Sequence, residues 1–135
     1  MRGFELLERA RDARAVLLTV LRVPPSSGAD AEERGAAFVL VFDAGRVLVA
    51  PSDPGARDLC AFPLESDDDV PADARSAAEE EPWWRVLGAP LAGAWSEEGG
   101  AVLRLQLRDD ADAPRFASLR REGAGVRAAI ARAPR

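Results

Sequence analysis

Residues 82–88 read PWWRVLG, and further along the chain residues 101–107 read AVLRLQL. The first segment predicts a short helix, because Pro82 suits the first position of a helix and Gly88 suits the residue just past its end. The second segment alternates apolar and polar residues, which predicts a strand whose leucines face the core. The three tryptophans of the chain all lie within or between these segments. We therefore expect this part of the chain to supply much of the hydrophobic core.

The clearest hairpin signal lies upstream, in residues 36–42 and 46–50. Both runs are rich in the β-branched and aromatic residues that strands favour, and alternate residues from Phe38 onward share one face. The connection, residues 43–45, ends in glycine. This spacing predicts a three-residue loop, with a type I turn followed by a left-handed residue.

Four other segments predict regular structure. Residues 3–13 have helical spacing of apolar residues, and residues 15–23 are apolar on both faces, which indicates a central strand covered on both sides. A helix continuing from residue 3 is the alternative for this second segment. Residues 58–64 predict a strand, and the proline near its end places it at a sheet edge. Residues 126–133 fit either a strand after a glycine turn or a helix.

Together these elements predict an α+β fold. A chain of 135 residues with 47% hydrophobic and 30% charged residues is long enough and apolar enough to bury one core. We expect a single domain over residues 1–135, mainly an antiparallel sheet of about five to seven strands, with one or two short helices.

The residue types that are missing exclude several kinds of chemistry. The sequence has no histidine and no lysine, so all 18 basic residues are arginine. A Ser-His-Asp triad, a histidine metal site, a P-loop lysine and a Schiff base therefore cannot be built. Cys60 is the only cysteine, which excludes an intrachain disulfide and a cysteine zinc site. We interpret it as a small buried residue, and we expect no catalytic residue, no cofactor and no metal site.

Charge is distributed unevenly along the chain. Residues 53–81 hold ten acids against two arginines, whereas residues 113–135 hold six arginines against one acid. We expect the two regions to face each other in the fold or across a dimer. Residues 65–81 predict a solvated acidic loop with a helical turn near residues 72–78. The net charge of −5 argues against nucleic acid as a partner.

The acidic runs at residues 67–69 and 79–81 could hold Mg²⁺ or Ca²⁺, which prefer oxygen ligands. However, the alternating ligand spacing of a calcium loop is missing, so a solvated loop is the favoured interpretation. A carboxylate-metal hydrolase is the third of our functional hypotheses, and it predicts stabilisation by metal that is lost when residues 67–69 are replaced. Asp109 and Asp110 could in principle serve acid–base chemistry, but they are better explained by a turn.

The candidate binding residues are Trp83, Trp84, Arg85, Arg120 and Arg121. The tryptophans could form an aromatic platform, and the arginines could bind phosphate or an acidic protein surface. The simpler interpretation is that at least two tryptophans are core residues. Because adjacent residues on a helical turn point about 100° apart, we expect either Trp83 or Trp84 to be partly exposed.

The leading functional hypothesis is a non-enzymatic protein-interaction module, of adaptor or immunity type, that binds another protein or itself. The alternative is a small-ligand or nucleotide-binding domain that uses Trp83, Trp84 and Arg85. The N-terminus lacks the pattern of a signal peptide, and no apolar run is long enough to span a membrane. We therefore expect a cytoplasmic protein without a membrane partner.

Residues 36–131 resemble a family of small bacterial proteins classed as a domain of unknown function. The features shared are an early hairpin like residues 42–48, an acidic stretch, a Pro-x-Trp-x-x-x-Gly segment and a tryptophan that ends a strand. The matching positions of the motif are Pro82, Trp84, Gly88 and Trp95. The resemblance implies an antiparallel sheet with a short helix and no particular activity. The family's polar Asn/Gln-Gly-Tyr-x-Asp-Gly turn is missing here, where residues 96–100 read SEEGG.

Overall fold

A computed structural model describes the chain in five stretches, which are residues 1–24, 34–53, 55–80, 83–108 and 113–131. The predictions for Pro82, Asp109 and Asp110 fall on residues outside these stretches. The helix and strands are α1 (Phe4–Asp12), β1 (Leu17–Val23), β2 (Arg34–Gly35), β3 (Ala37–Phe42), β4 (Gly45–Pro51), β5 (Leu59–Leu64), β6 (Arg75–Ser76), β7 (Gly93–Glu97), β8 (Val102–Arg108), β9 (Pro114–Glu122) and β10 (Gly125–Ala131). Three-residue 3₁₀ turns occur at Asp67–Asp69, Trp83–Arg85 and Glu98–Gly100.

The strands form two five-stranded sheets. The first sheet has the order β5-β4-β3-β1-β6 and the second has the order β2-β10-β9-β8-β7. Neighbouring strands are antiparallel in both, so the predicted class, mainly antiparallel β with a short helix, is confirmed. The predicted number of five to seven strands was too low, since ten are described. Strands β2 and β6 have two residues each, which is too short for an alternating pattern to reveal them.

The predicted helix at residues 3–13 is confirmed as α1. Leu7 and Ala10 are buried on its inner face, three residues apart as helical spacing requires. The helix contacts β5 of the first sheet and β7 of the second, so it bridges the edges of the two sheets. Strand β5 is an edge strand, as the proline in its sequence predicted.

Strand β1 confirms the strand prediction for residues 15–23, with one correction. Its backbone is hydrogen-bonded on both sides, to β3 on one and to β6, Ala77 and Gly88 on the other. The expected burial of both faces is wrong at Leu18, which is 53% exposed. The register between β1 and β3 shifts between Leu17 and Thr19, and this bulge turns Leu18 outward.

The β3–β4 hairpin is present, but its connection is shorter than predicted. Gly45 is paired with Phe42 in the ladder, which leaves Asp43 and Ala44 as a two-residue connection. Gly45 has φ 147°, a value that side-chain-bearing residues rarely adopt. The sequence therefore correctly predicted an unusual backbone conformation at Gly45, but this residue belongs to β4 and not to the connection.

Both sheets contribute alternate residues to one core. Strand β3 buries Phe38, Leu40 and Phe42, and β8 buries the leucines of its alternating pattern, as predicted. The opposite face of β8 is less exposed than expected, since Val102 and Arg104 are also buried. Residues 126–133, which the sequence left open, form a strand over the described part, because β10 pairs with β9 along its whole length.

The chain passes directly from one sheet to the other at Ala36. Strand β2 pairs with β10 in the second sheet, and β3 pairs with β1 and β4 in the first. Ala36 is the one residue between β2 and β3, and its N–H donates to the Val23 carbonyl. The two sheets are therefore covalently joined at a corner as well as packed through their core.

Candidate functional site

The acidic loop crosses the first sheet. We call residues 65–80 the acidic crossover, because they leave β5 at one edge of the sheet and reach β6 at the opposite edge. Arg46 is the second residue of β4, at the end of the β3–β4 hairpin. Its Nη2 atom lies 2.6 Å from Oδ1 of Asp67. This contact fastens the start of the crossover to the end of the β3–β4 hairpin.

The conformation of the crossover is held by local contacts. The Asp69 carboxylate accepts hydrogen bonds from the backbone N–H groups of Glu65 and Ser66, at 3.0 and 3.2 Å. Val70 and Pro71 are half-buried, whereas residues 65–69 are exposed. The helical turn predicted near residues 72–78 is wrong, because residues in this range form β6. Pairing with β1 overrides the local helix preference of an alanine-rich segment.

Two of the crossover carboxylates are paired with arginines of the sheet. Asp67 meets Arg46, and Glu80 accepts hydrogen bonds from Nε and Nη2 of Arg22 at 3.0 and 3.3 Å. Arg22 is only 4% exposed, so this second pair fastens the end of the crossover to β1. Among the described residues, the ion pairs leave several exposed crossover acids without a cationic partner, namely Asp68, Asp73 and Glu79.

The adjacent tryptophans occupy opposite environments. Trp83 is fully buried and packs against Phe38, with ring centroids 5.9 Å apart. Trp84 is 48% exposed, and the Arg85 guanidinium carbon lies 4.3 Å from the centroid of its ring. The expectation that one of the two faces outward is confirmed. Trp83 itself cannot serve as a binding surface, which corrects its inclusion among the candidate residues.

Trp84 lies beside the end of the acidic crossover. The backbone N–H groups of Trp83 and Trp84 donate to the Glu80 carbonyl, at 2.9 and 3.3 Å. Since Glu80 is fixed to Arg22, these bonds hold the exposed indole next to the crossover acids. An exposed aromatic ring therefore lies at the end of the acidic crossover, close in the chain to the exposed Glu79.

Arg120 and Arg121 belong to other parts of the molecule. Arg120 donates to Glu98 Oε1 at 3.0 Å, and this hydrogen bond lowers the pKa of Glu98 below its ordinary 4.5. Arg121 donates to the carbonyl of Asp58 at 2.9 Å and to that of Asp53 at 3.3 Å. The structure describes no contact between either arginine and Trp84, so it does not bring the predicted binding residues together as one site.

The predicted meeting of the acidic middle with the basic tail occurs at Arg121, through its contacts with residues 53 and 58. Elsewhere, tail arginines pair with acids outside the acidic middle. Arg120 binds Glu98, and Arg127 binds Glu122 through Nε at 2.6 Å. Two of the described tail arginines are therefore paired with acids outside the acidic middle.

Ser52 and Asp58 form a polar cluster beside Arg121. The Ser52 hydroxyl donates to Asp58 Oδ1 at 2.5 Å, and this hydrogen bond is the main reason that the pKa of Asp58 lies below its ordinary 3.8. A cavity of about 290 Å³ lies next to Ser52 and Arg121, against the Gly123–Ala124 turn. The hydrogen bond stabilises the charged form of Asp58, which makes the carboxylate a weaker base. We interpret the cluster as a structural link between the sheets.

A second cavity lies between α1 and the end of the β3–β4 hairpin. This groove has a volume of about 540 Å³, and its apolar lining includes Leu6, Ala10, Phe42, Val47 and Pro63. The charged lining residues are Arg9, Arg46 and Glu65. The sequence analysis missed this groove because its walls come from segments that are far apart in the chain and carry no motif.

The described residues contain no group of three or more acidic or cysteine side chains placed to hold a metal ion. Cys60 is buried, as predicted. No helix in the described stretches is long and apolar enough to cross a membrane.

Comparison with known proteins gave no match among family models, curated proteins or solved structures. The resemblance of residues 36–131 to a bacterial family therefore stays a prediction. The geometry of the site is accordingly the basis for the functional proposal.

Proposed function

We propose that this protein is a cytoplasmic, non-enzymatic interaction module that binds a basic surface of another protein. The binding surface consists of the exposed acids of the acidic crossover with Trp84 as its aromatic anchor. The observation that carries the proposal is a half-exposed indole at the end of a crossover whose exposed acids Asp68, Asp73 and Glu79 have no cationic partner among the described residues. A partner that is basic and has an apolar pocket would complement both features.

An exposed tryptophan at the end of an acidic crossover favours a protein partner over a partner that binds by charge alone. Tryptophan, tyrosine and arginine are enriched at binding hot spots. The rigid tryptophan ring buries a large area at low cost in conformational entropy. The surrounding carboxylates would accelerate association and select against acidic competitors. Since Trp84 is held by the Glu80 carbonyl and by the stacked Arg85, much of this surface is already ordered before binding.

Affinity capture from an extract of the source cells tests the proposal with three variants. We expect wild-type protein to retain one stoichiometric partner, and we expect Trp84→Ala to lose it. The triple variant Asp68→Asn, Asp73→Asn, Glu79→Gln should bind more weakly and with less dependence on salt. Phe62→Ala is the matched control, because Phe62 is 45% exposed on β5, at the opposite edge of the sheet from β6.

Two results would contradict the proposal. One is a partner that binds Trp84→Ala as tightly as wild type. The other is the absence of a protein partner together with strong quenching of tryptophan fluorescence by a small metabolite. The second result would favour the alternative of a small-ligand domain that uses Trp84 and Arg85.

A further inference from the structure

We propose that the groove between α1 and the β3–β4 hairpin binds an amphipathic carboxylate, with an apolar chain or ring in the groove and its head group on Arg9 and Arg46. The groove is not lined by Trp84 or Arg85, and it meets the acidic crossover at Glu65 and, through Arg46, at Asp67. The proposal does not depend on the proposed protein partner. The site is assigned from the shape of the groove, its lining and the ion pair at its rim.

The size and lining of the groove suit a small organic molecule. Its volume of about 540 Å³ falls in the range typical of ligand sites. Leu6 and Ala10 of α1 form one wall, and Phe42, Val47 and Pro63 of the first sheet form the other. An apolar chain or ring placed between them would be removed from water on both sides.

The charges at the rim select an anionic head group. Arg46 already holds a carboxylate, that of Asp67, at 2.6 Å. Among the described residues, Arg9 has no ion pair, although it lines the same groove. Glu65 is the one acid of the described lining. Because like charges repel, an anionic head group is disfavoured near Glu65 and favoured near Arg9 and Arg46.

In the free protein, the Asp67 carboxylate competes with a ligand carboxylate for the Arg46 guanidinium. Asp67 is 87% exposed, so its attachment to Arg46 is a surface ion pair and is weak. A ligand carboxylate that binds the same guanidinium would displace it. The affinity for the ligand should therefore rise when the Asp67 charge is removed. Nonspecific hydrophobic binding would not predict such an increase in affinity.

Three probes with the same chain and different head groups test the assignment. Sodium decanoate, decanol and decylamine are titrated below their aggregation concentrations, and binding is followed by ¹H–¹⁵N chemical shifts and calorimetry. We expect decanoate to bind most tightly and to shift resonances of α1 and residues 42–47. Equal binding of the three probes, or shifts confined to other parts of the chain, would overturn the proposal.

Variants of the lining separate the head-group and chain contributions. We expect Arg9→Gln and Arg46→Gln each to weaken decanoate binding by about ten-fold, with little effect on decanol. Ala13→Phe places a ring in the groove from an exposed position and should block both probes. Asp67→Asn should tighten decanoate binding by about two- to five-fold.

Arg14→Gln is the control, because Arg14 is exposed near the same end of α1 but does not line the groove. It should leave the decanoate affinity unchanged. If Arg14→Gln weakens binding as much as Arg9→Gln, the effect is one of net charge and the assigned site is wrong. Unchanged affinity in Asp67→Asn would show that Arg46 does not hold the head group, and would equally overturn the assignment.

Discussion

Trp83 and Trp84 are neighbours in the chain and face opposite environments. Trp83 is fully buried, yet none of the described residues accepts a hydrogen bond from its Nε1 atom. An unpaired buried N–H is costly, so the stabilising contribution of Trp83 comes from the packing of its ring. Trp84 has half of its surface in water and stabilises the fold little.

We expect Trp83→Ala to lower the free energy of unfolding by about 3–5 kcal/mol, because it removes a large buried ring from the core. Trp84→Ala should change it by less than about 1 kcal/mol. Trp83→Phe should be milder than Trp83→Ala, since it keeps an aromatic ring in the core while it removes the unpaired N–H. Urea unfolding followed by far-UV circular dichroism measures all three, and equal losses for Trp83→Ala and Trp84→Ala would contradict the assignment of burial.

Asp58 gives the molecule an acid-sensitive contact. Its pKa is lowered first by the hydrogen bond from Ser52, and burial opposes this effect. Because the folded pKa lies below the ordinary value of 3.8, the charged form stabilises the fold above that pH. The stabilisation is lost as the pH falls through the lowered pKa.

Ser52→Ala should therefore raise the pKa of Asp58 toward its ordinary value, because it removes the main cause of the shift. An NMR titration of the Asp58 side-chain carboxyl carbon measures this change directly. In Asp58→Asn, the loss of stability on acidification below about pH 4 should be shallower than in wild type. A pKa of Asp58 that does not change in Ser52→Ala would contradict the assigned hydrogen bond.

Elements in this fold are joined by close backbone contacts. Helix α1 begins after Gly3, which has φ 79°, and a Cβ added there would lie 2.0 Å from the Ala61 carbonyl oxygen of β5. The N–H of Ala61 in turn donates to the Arg2 carbonyl at 2.9 Å. The approach of the helix to the sheet edge therefore depends on a residue without a side chain.

Gly3→Ala should destabilise the protein far more than Gly123→Ala. Gly123 has a similar φ of 62°, but a Cβ added there meets nothing within 4 Å. Gly123→Ala is the control, and it should lower the free energy of unfolding only by the strain of the left-handed conformation, about 1–2 kcal/mol. Gly3→Ala adds a clash with backbone that cannot move aside. Thermal unfolding of the two variants compares them, and similar melting temperatures would show that α1 does not need this close approach.

At the scale of the whole molecule, two sheets share a single hydrophobic cluster. Leu40 of β3 and Leu105 of β8 are both fully buried in it, although they belong to different sheets. Neither sheet can expose its inner face without uncovering the other. The predicted single domain should therefore unfold as one cooperative unit.

Leu40→Ala and Leu105→Ala test this cooperativity. Each should lower stability by about 2–5 kcal/mol, and each should shift the transitions seen by circular dichroism and by tryptophan fluorescence to the same extent. Two separate transitions in either variant would show that the sheets fold independently.

The sequence predicted those parts of the fold in which burial follows a regular period. Strands β3 and β8 and helix α1 were found because their apolar residues repeat at the spacing of a strand or a helix. The two-residue strand β6 was missed, since Arg75 and Ser76 have no pattern and are strand only through pairing with β1. Pairing with β1 therefore outweighs the helix preference of this alanine-rich segment.

The sites were less predictable than the elements. The exposure of Trp84 followed from helical geometry, but the partners of Arg120 and Arg121, which are Glu98 and the carbonyls of Asp53 and Asp58, come from segments far away in the chain. The groove beside Arg9 and Arg46 could not be predicted either, because its walls come from segments that meet only in the folded protein.

The corner at Ala36 determines where the chain tolerates changes in length. Because one residue separates β2 from β3, adding or deleting a residue there would reverse which side chains of one strand face inward relative to the other. The Gly123–Ala124 turn has no such constraint, since it is an exposed connection between two strands of one sheet. Insertions, epitope tags and fusion points should therefore be accepted in that turn and rejected at the corner.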